Sequence, residues 1–574
     1  MGNQHFAKFP QINLPRSRFK IDFTHKLAML HGFLTPIDCR EILPGDSFDA
    51  KKIASLVHMS TPIVPFMDNI DMYVRCFFVP TRLLWENFEN FMGANKGAGY
   101  QTVIPVFPAC NIGTVKTGTP KQAKDLTLNL SHLLGKPVQT FGVGTKRVLP
   151  KALSVLKERG YFLIWNNYFR AEQLQAEYPV DISDGVVSGT DVDAKVLLTD
   201  DTSSASTYDV WNHDLLKVNK KHDYFSSCTL SPQYGAAVTL PLGTTANIVA
   251  DSTVHDMGNT MRLGHTGSTY SGDVLPYLVF PSAGASTGFG MLDSSGYNPG
   301  GVGDTINSSN LVADLSNATA ATINSLRYAF AVQRYLERSN YGSNHFYEIL
   351  AVHYGVTSPD ARLQRPEYLG GFHYRINVDQ VLNSTGKTDT DQTDLGKKGA
   401  VSVTADRHFG FTKGFVEPGY LYVLAYTKQD RTYSSLVLKE DMKTNRFEFY
   451  SPEFANIGDQ EVLRFEIDGS FTSDSVFGYQ EAWSEYRFAP SRCSGYMNPD
   501  LTGSMPYWSL ADSYGAVPQL GSSWIEEDRA AVARALVTGV NGPDFLCDWY
   551  IEYTAARLMP VYSIPGLIDH VGSM

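Results

Sequence analysis

The sequence predicts a mainly β chain built as one elaborated domain, on three observations. Short apolar runs bounded by Pro and Gly recur along most of its 574 residues. Helical periodicity is confined to a few segments. No internal repeat or low-complexity tract marks off an independent unit within 1–574. Hydrophobic residues make up 43% and aromatic residues 12%, enough for a large core and too much for wholesale disorder.

The first thirty residues carry Lys8, Arg16, Arg18, Lys20 and Lys26 against one acid, Asp22. The composition of 1–30 is that of an arm, either a solvated tail or an extended arm along a neighbour or a polyanion. Strand and turn follow from Phe33, with a turn at Leu43-Pro44-Gly45-Asp46 and extended chain at Thr61 to Pro65. Asp71 to Val79 is a strand closed by Pro80. Arg82 to Met92 reads as a helix, because Leu84, Phe88 and Phe91 fall on one face; Leu153 to Phe169 reads as another. Residues 95 to 150, between these two helices, are loop-rich.

Gly142-Val143-Gly144-Thr145-Lys146 lacks the spacing of a phosphate loop, and no cofactor is expected. His213-Asp214 and His222-Asp223 could hint at a metal site. Their spacing fits no single helical face, and Lys217, Lys220 and Lys221 would oppose a cation, so a structural loop is the better reading. A strand is expected at Gln233 to Gly243.

Residues 244 to 320 differ in character: Gly, Ser, Thr, Asn and Asp dominate, and Arg262 is the only basic residue. This reads as a large surface insertion, either an ordered module touching an outside partner or a variable decoration. Its apolar island, Val274 to Phe280, could form a hairpin. The candidate contact residues are Val274, Tyr277, Phe280, Phe289 and Tyr297.

Helices are expected at Ala321 to Arg338, with Ile323, Leu326 and Phe330 on one face and Arg327, Arg334 and Arg338 elsewhere, and at His345 to Tyr354. His345 and His353 are more than two turns apart, too far to share an ion. Between Val356 and Gly371 lie Asp360, Arg362, Arg365 and Glu367, held between Pro359, Pro366 and Gly370-Gly371. Mixed charge in a constrained loop, with no nucleophile or histidine, points to a contact surface rather than an active site. Strands then recur from Phe372 to Phe488, including Tyr420 to Tyr426 and Phe447 to Tyr450, around a polar loop at 384 to 400. The chain closes with an extended tail, Pro560 to His570.

Forty-eight basic residues against fifty-nine acidic give a net charge of −11. A protein that coats nucleic acid unaided is usually basic, so enclosing nucleic acid would require positive charge from elsewhere. The six cysteines are far apart and form no Cys-x-x-Cys pair, the pattern of free thiols in a reducing compartment. No apolar run suits a signal peptide or membrane helix, so folding in a cytoplasm without membrane insertion is expected.

Several stretches, in collinear order, carry a family resemblance. They include Arg16-Ser17-Arg18-Phe19, Leu43-Pro44-Gly45-Asp46, Met67-Asp68-Asn69 and Phe77-Phe78-Val79-Pro80-Thr81-Arg82-Leu83. Further along are Asn166-Asn167-Tyr168-Phe169-Arg170, His222-Asp223-Tyr224-Phe225, the whole of Val356 to Gly371, Arg446 to Tyr450 and Ile564 to His570. Together these resemble the major capsid protein of microviruses, in the gokushovirus branch of small single-stranded DNA phages. Two departures are Ser339-Asn340-Tyr341-Gly342-Ser343 and Glu417-Pro418-Gly419.

The resemblance implies an eight-stranded viral jelly roll of two antiparallel sheets, with long inter-strand loops and few helices. It implies a virion protein, not an enzyme: copies form a T=1 shell with fivefold and threefold contacts around circular single-stranded DNA. The implied partners are a small basic DNA-binding virion protein, an internal scaffolding protein, a minor pilot protein and a host receptor, with assembly in the bacterial cytoplasm. On this reading, 244 to 320 forms a threefold protrusion that meets the host. Lys8, Arg16, Arg18 and Lys20 form an inner basic arm, and Asp360, Arg362, Arg365 and Glu367 fix loop geometry or an intersubunit seam. The rival readings are an all-β carbohydrate-active enzyme with paired carboxylates and a sugar-binding module.

Overall fold

The computed structural model describes residues 16–93, 153–187, 215–236, 323–341, 346–356, 364–382, 398–471 and 475–562, and short pieces at 106–110, 115–116, 130–136, 140–141, 238, 247–250, 264–265, 277–279, 290–292, 306–307 and 311–314. The chain divides into two compact units. One comprises Met1–Pro232 with Gly342–Met574, the other Gln233–Tyr341.

The first unit is built on eight strands: β1 (Ser17–Met29), β2 (Thr35–Ile42), β3 (Ser47–Met59), β4 (Ile70–Pro80), β5 (Glu367–Arg375), β6 (Val403–His408), β7 (Gly419–Gln429) and β8 (Phe545–Arg557). One sheet has the order β1-β8-β3-β6, with Thr412–Gly414 also on β3; the other has the order β5-β4-β7-β2. All these pairings are antiparallel. Except between β4 and β5, consecutive strands switch sheets, so no hairpin closes within a sheet. This is the jelly-roll sandwich.

Strand alternation builds the core between the sheets. β8 buries Phe545, Cys547, Trp549, Ile551, Tyr553 and Ala555, every second residue, beside Phe48, Ala50, Ile53 and Val57 of its sheet neighbour β3 and against Val74, Cys76, Leu421 and Val423 of the other sheet. In contrast, β4 and β7 are buried on both faces. Helix α1 (Leu156–Tyr168) covers the far side of their sheet: Tyr161, Phe162 and Trp165 share a second core with Phe77, Val79, Tyr422 and Leu424. The approach is close. A Cβ at Gly160 would overlap Tyr422 Oη, which donates to Lys157 O at 2.8 Å. A third core, including Phe225, Tyr433, Val462, Phe477 and Trp524, lies within the connections.

Several expectations need correction. From Ser17 onward the basic segment is strand β1, not an arm. Its charges alternate with Phe19, Ile21, Phe23 and Leu27, and its full length pairs with β8. The expected helix at 82–92 is a 3-10 turn at Thr81–Leu83 and a single helical turn at Phe88–Phe91. Phe447 to Tyr450 is not a strand but runs out of a 3-10 turn, Arg446–Glu448, capped by Asn445. Gln233 to Ala236 has no strand. Gly370 and Gly371 do not end a loop; they lie inside β5, at an irregularity against β4, where a Cβ at Gly371 would collide with Val74 O.

In the second unit, Tyr277–Val279 pairs with Gly290–Leu292, so part of the apolar island lies in a ladder. Its helix α2 (Ile323–Tyr341) contradicts the expected faces: Phe330 is 66% exposed, on the side that carries the arginines. Helix α3 (Phe346–Tyr354), in the first unit, follows the expected bounds closely.

Candidate assembly and attachment surfaces

The charged stretch before β5 is anchored at several points within the chain. Tyr168, the last residue of α1, donates from its hydroxyl to Pro366 O at 2.6 Å, and the Arg365 guanidinium lies 5.9 Å from the centre of its ring. Arg82 bridges Glu417 (2.9 Å) and Gln364 (3.1 Å), and Glu367 is paired with Lys413. Phe77 of β4 packs against Tyr168 and Tyr368 at 4.9 and 5.5 Å. Asp360 and Arg362 lie outside the described residues. Tyr168, Arg82, Glu417 and Lys413 meet here in contacts that span 46 to 335 residues of chain, of which sequence spacing carries no sign.

Of the basic set, Lys8 lies outside the described residues and Arg16 is exposed just before β1. Arg18 and Lys20 are on the exposed face of β1, with Lys20 at 3.6 Å from Glu552 of β8. Such exposed pairs add little stability. Val274, Phe280, Phe289 and Tyr297 also lie outside the described residues; Tyr277 opens the Tyr277–Val279 strand.

The most deeply buried charges link the sandwich to its long connections. Arg431, just past β7, holds both Asp512 oxygens at 3.0 Å and is paired with Glu527. Glu527 also meets His31 Nε2 at 3.0 Å and the Gln429 amide at 3.3 Å, while Thr427 Oγ1 lies 2.9 Å from His31 Nδ1. Lys220 approaches Asp512 and sits 4.2 Å over the Trp524 ring. Burial alone would raise the Glu527 carboxyl, but the Arg431 charge and the His31 hydrogen bond outweigh it and bring it down to about 2. Burial also lowers Lys220. Buried charge of this kind is tolerable only when each group is partnered, so the network fixes where 218–220, 510–512 and 525–527 sit against β7.

The histidine–aspartate pair at 222–223 has a structural role: Asp223 accepts from the Ser226 amide at 2.7 Å and from the Tyr433 hydroxyl. Among the described residues no cluster of His, Cys, Asp and Glu is arranged to hold a metal. None of their helices is long and apolar enough to cross a membrane. Cys39, Cys76, Cys228, Cys493 and Cys547 are free thiols.

A jelly roll with two oversized connections is the form of a shell subunit, and sequence comparison decides it: residues 7–567 match the family model for the capsid protein (F protein). The chain belongs to this phage capsid protein family. It is 33% identical to capsid protein VP1 of Bdellovibrio phage phiMH2K, over 98% of both chains. It is 30% identical to capsid protein VP1 of Chlamydia phage 1 and 31% identical to that of Spiroplasma virus 4, over 98% of this chain and 97% of each relative. As a member of the F-protein family it is a structural protein of the virion rather than an enzyme, and it works as one of many copies in a shell.

Proposed function

We propose that the chain is the major shell subunit of a small microvirus, gokushovirus-like, whose copies close into a T=1 icosahedron through fivefold and threefold contacts around circular single-stranded DNA. The observation that carries this is the proportion of sandwich to connection. Eight strands complete the barrel, while residues 81–366 and 430–544 go into two connections. Loops on that scale find burial against neighbouring copies.

A net charge of −11 cannot neutralise phosphate. The reading therefore includes a small basic DNA-binding virion protein, with Lys8, Arg16, Arg18 and Lys20 contributing at the inner surface. An internal scaffolding protein and a minor pilot protein complete the particle, assembled in the bacterial cytoplasm. Asp360 and Arg362 act with Arg365 and Glu367 at a loop-fixing site or an intersubunit seam. Residues 244–320, with Val274, Tyr277, Phe280, Phe289 and Tyr297, form the threefold protrusion that meets a host receptor.

Electron microscopy with nuclease protection tests the shell: small icosahedral particles holding circular single-stranded DNA are expected. Monodisperse monomers that hydrolyse or bind sugar would overturn it. For attachment, replacing 284–303 by a short linker is expected to spare particles and reduce adsorption. Unchanged adsorption by intact particles would refute the host-contact role.

A further inference from the structure

Helix α2 presents a face that no described residue accounts for. Arg327, Arg334 and Arg338 recur at i, i+7 and i+11 and form one stripe along the helix. None of the three is in an ion pair with a described residue, and the one acid of the helix, Glu337, accepts from Gln333 at 2.9 Å. Beside the stripe are Tyr328 and Phe330, exposed by 73% and 66%. The opposite side, Ala329, Val332 and Leu336, is half-buried. An amphipathic helix normally turns its aromatic residues inward and solvates its charges. Here arginine and aromatic rings share the outer face, the combination enriched at the energetic centres of protein interfaces.

A complementary surface exists on the same chain, in the connection between β7 and β8. The sequence from 439 to 488 holds eleven acidic residues against five basic ones, more than half of the chain's net negative charge. Within it a cleft of about 520 Å³ is lined by Glu448, Asp459, Glu461, Glu466 and Glu485 against two lysines. Phe447, Phe449, Tyr450, Tyr486 and Phe488 are all more than half exposed in the same segment. Their arrangement is fixed: the Tyr450 ring lies 5.6 Å from Trp483 and 6.3 Å from Tyr486. Lone soluble chains rarely leave so many aromatic rings uncovered together.

We propose that the arginine–aromatic face of α2 docks on the acidic, aromatic surface at 439–488 of a second copy of this chain. The inference rests on the shell-subunit reading and names one of its contacts. The two surfaces differ from each other, so the contact is heterologous, and such contacts close into rings when the rotation permits. Opposite charge steers the encounter and sets register, while the rings supply the desolvated centre. A basic aromatic face could also take single-stranded nucleic acid by stacking. What favours a second copy is the presence, on the same chain, of an acidic aromatic counterpart that nucleic acid would not need.

The test uses the full-length chain under conditions where wild type forms particles; if wild type forms none, the shell reading and this contact fail together. Arg334→Glu with Arg338→Glu is expected to cut particle yield at least tenfold while the melting temperature of the soluble chain stays unchanged. Adding Glu440→Lys and Glu461→Lys should restore much of that yield. In co-expressed chains, Arg334→Cys on one and Glu461→Cys on the other should give an oxidised dimer. Normal yield from the reversed helix would overturn the proposal, as would a bridge formed only within one chain that carries both cysteines. Normal yield with less packaged DNA would assign the face to nucleic acid and overturn it as well.

Discussion

His31 and Glu527, 496 residues apart in sequence, face each other with neither side chain in contact with solvent, His31 Nε2 lying 3.0 Å from Glu527 Oε1. The depressed Glu527 value gives the network a pH signature. The group contributes its full stabilisation above the ordinary carboxyl value of 4.5 and loses it as pH falls towards about 2. The shift corresponds to about 3 kcal/mol. Glu527→Gln should lower the denaturation midpoint at neutral pH and flatten the loss of stability between about pH 4.5 and 2. Equal midpoints for the two proteins at pH 7 would show that the network does not hold the connections.

Gly160 sits where α1 passes the Tyr422 hydroxyl. Gly160→Ala gains about 1 kcal/mol in helix propensity but must displace a fully buried ring, and overpacking of that kind costs about 1–3 kcal/mol. The overlap wins, so the variant should melt at a lower temperature. Pairing it with Tyr422→Phe removes the clashing oxygen and should recover part of the loss. A Gly160→Ala protein that melts above wild type would show that α1 can slide away from β7.

Burial pushes the Cys76 and Cys547 thiols up to about 12. A thiol held so far from its reactive, ionised form does not attack electrophiles near neutral pH. Both should resist an alkylating reagent in the folded chain and react fully in denaturant, as read by mass spectrometry. Modification of either at the rate of a small free thiol would contradict the fold at that position.

Asp71 to Val79 and Tyr420 to Tyr426 are legible because they are dense in apolar residues, both faces of their sheet being covered, and α1 because aromatic and aliphatic residues crowd Tyr161 to Trp165. The charge of β1 resembles that of an arm, but its alternation is that of a strand: Arg18, Lys20, Asp22, Thr24 and Lys26 are the outer half of a period-two pattern. β8 carries the same signal, its buried residues alternating from Phe545 to Ala555. Phe447 to Tyr450 resembles a strand in sequence because an aromatic run does so whichever partner covers it. The His31, Arg431, Asp512 and Glu527 set left no local trace, since its members meet only through the order of the sheets.

The stretch before β5 supports a last prediction. Arg365 lies over the Tyr168 ring, whose hydroxyl holds Pro366, and the next residue, Glu367, is tied to Lys413. Arg365→Glu removes the cation from the ring, a contact of about 1 kcal/mol, and sets a carboxylate two residues from Glu367. The anchored turn should loosen, lowering the melting temperature slightly and, if the stretch has the assembly role proposed above, particle yield more strongly. Adsorption per surviving particle should stay at the wild-type level, and Arg365→Lys should fall between the two. A yield equal to wild type for Arg365→Glu would remove the stretch from assembly, whereas lost adsorption by abundant particles would move it to the attachment surface.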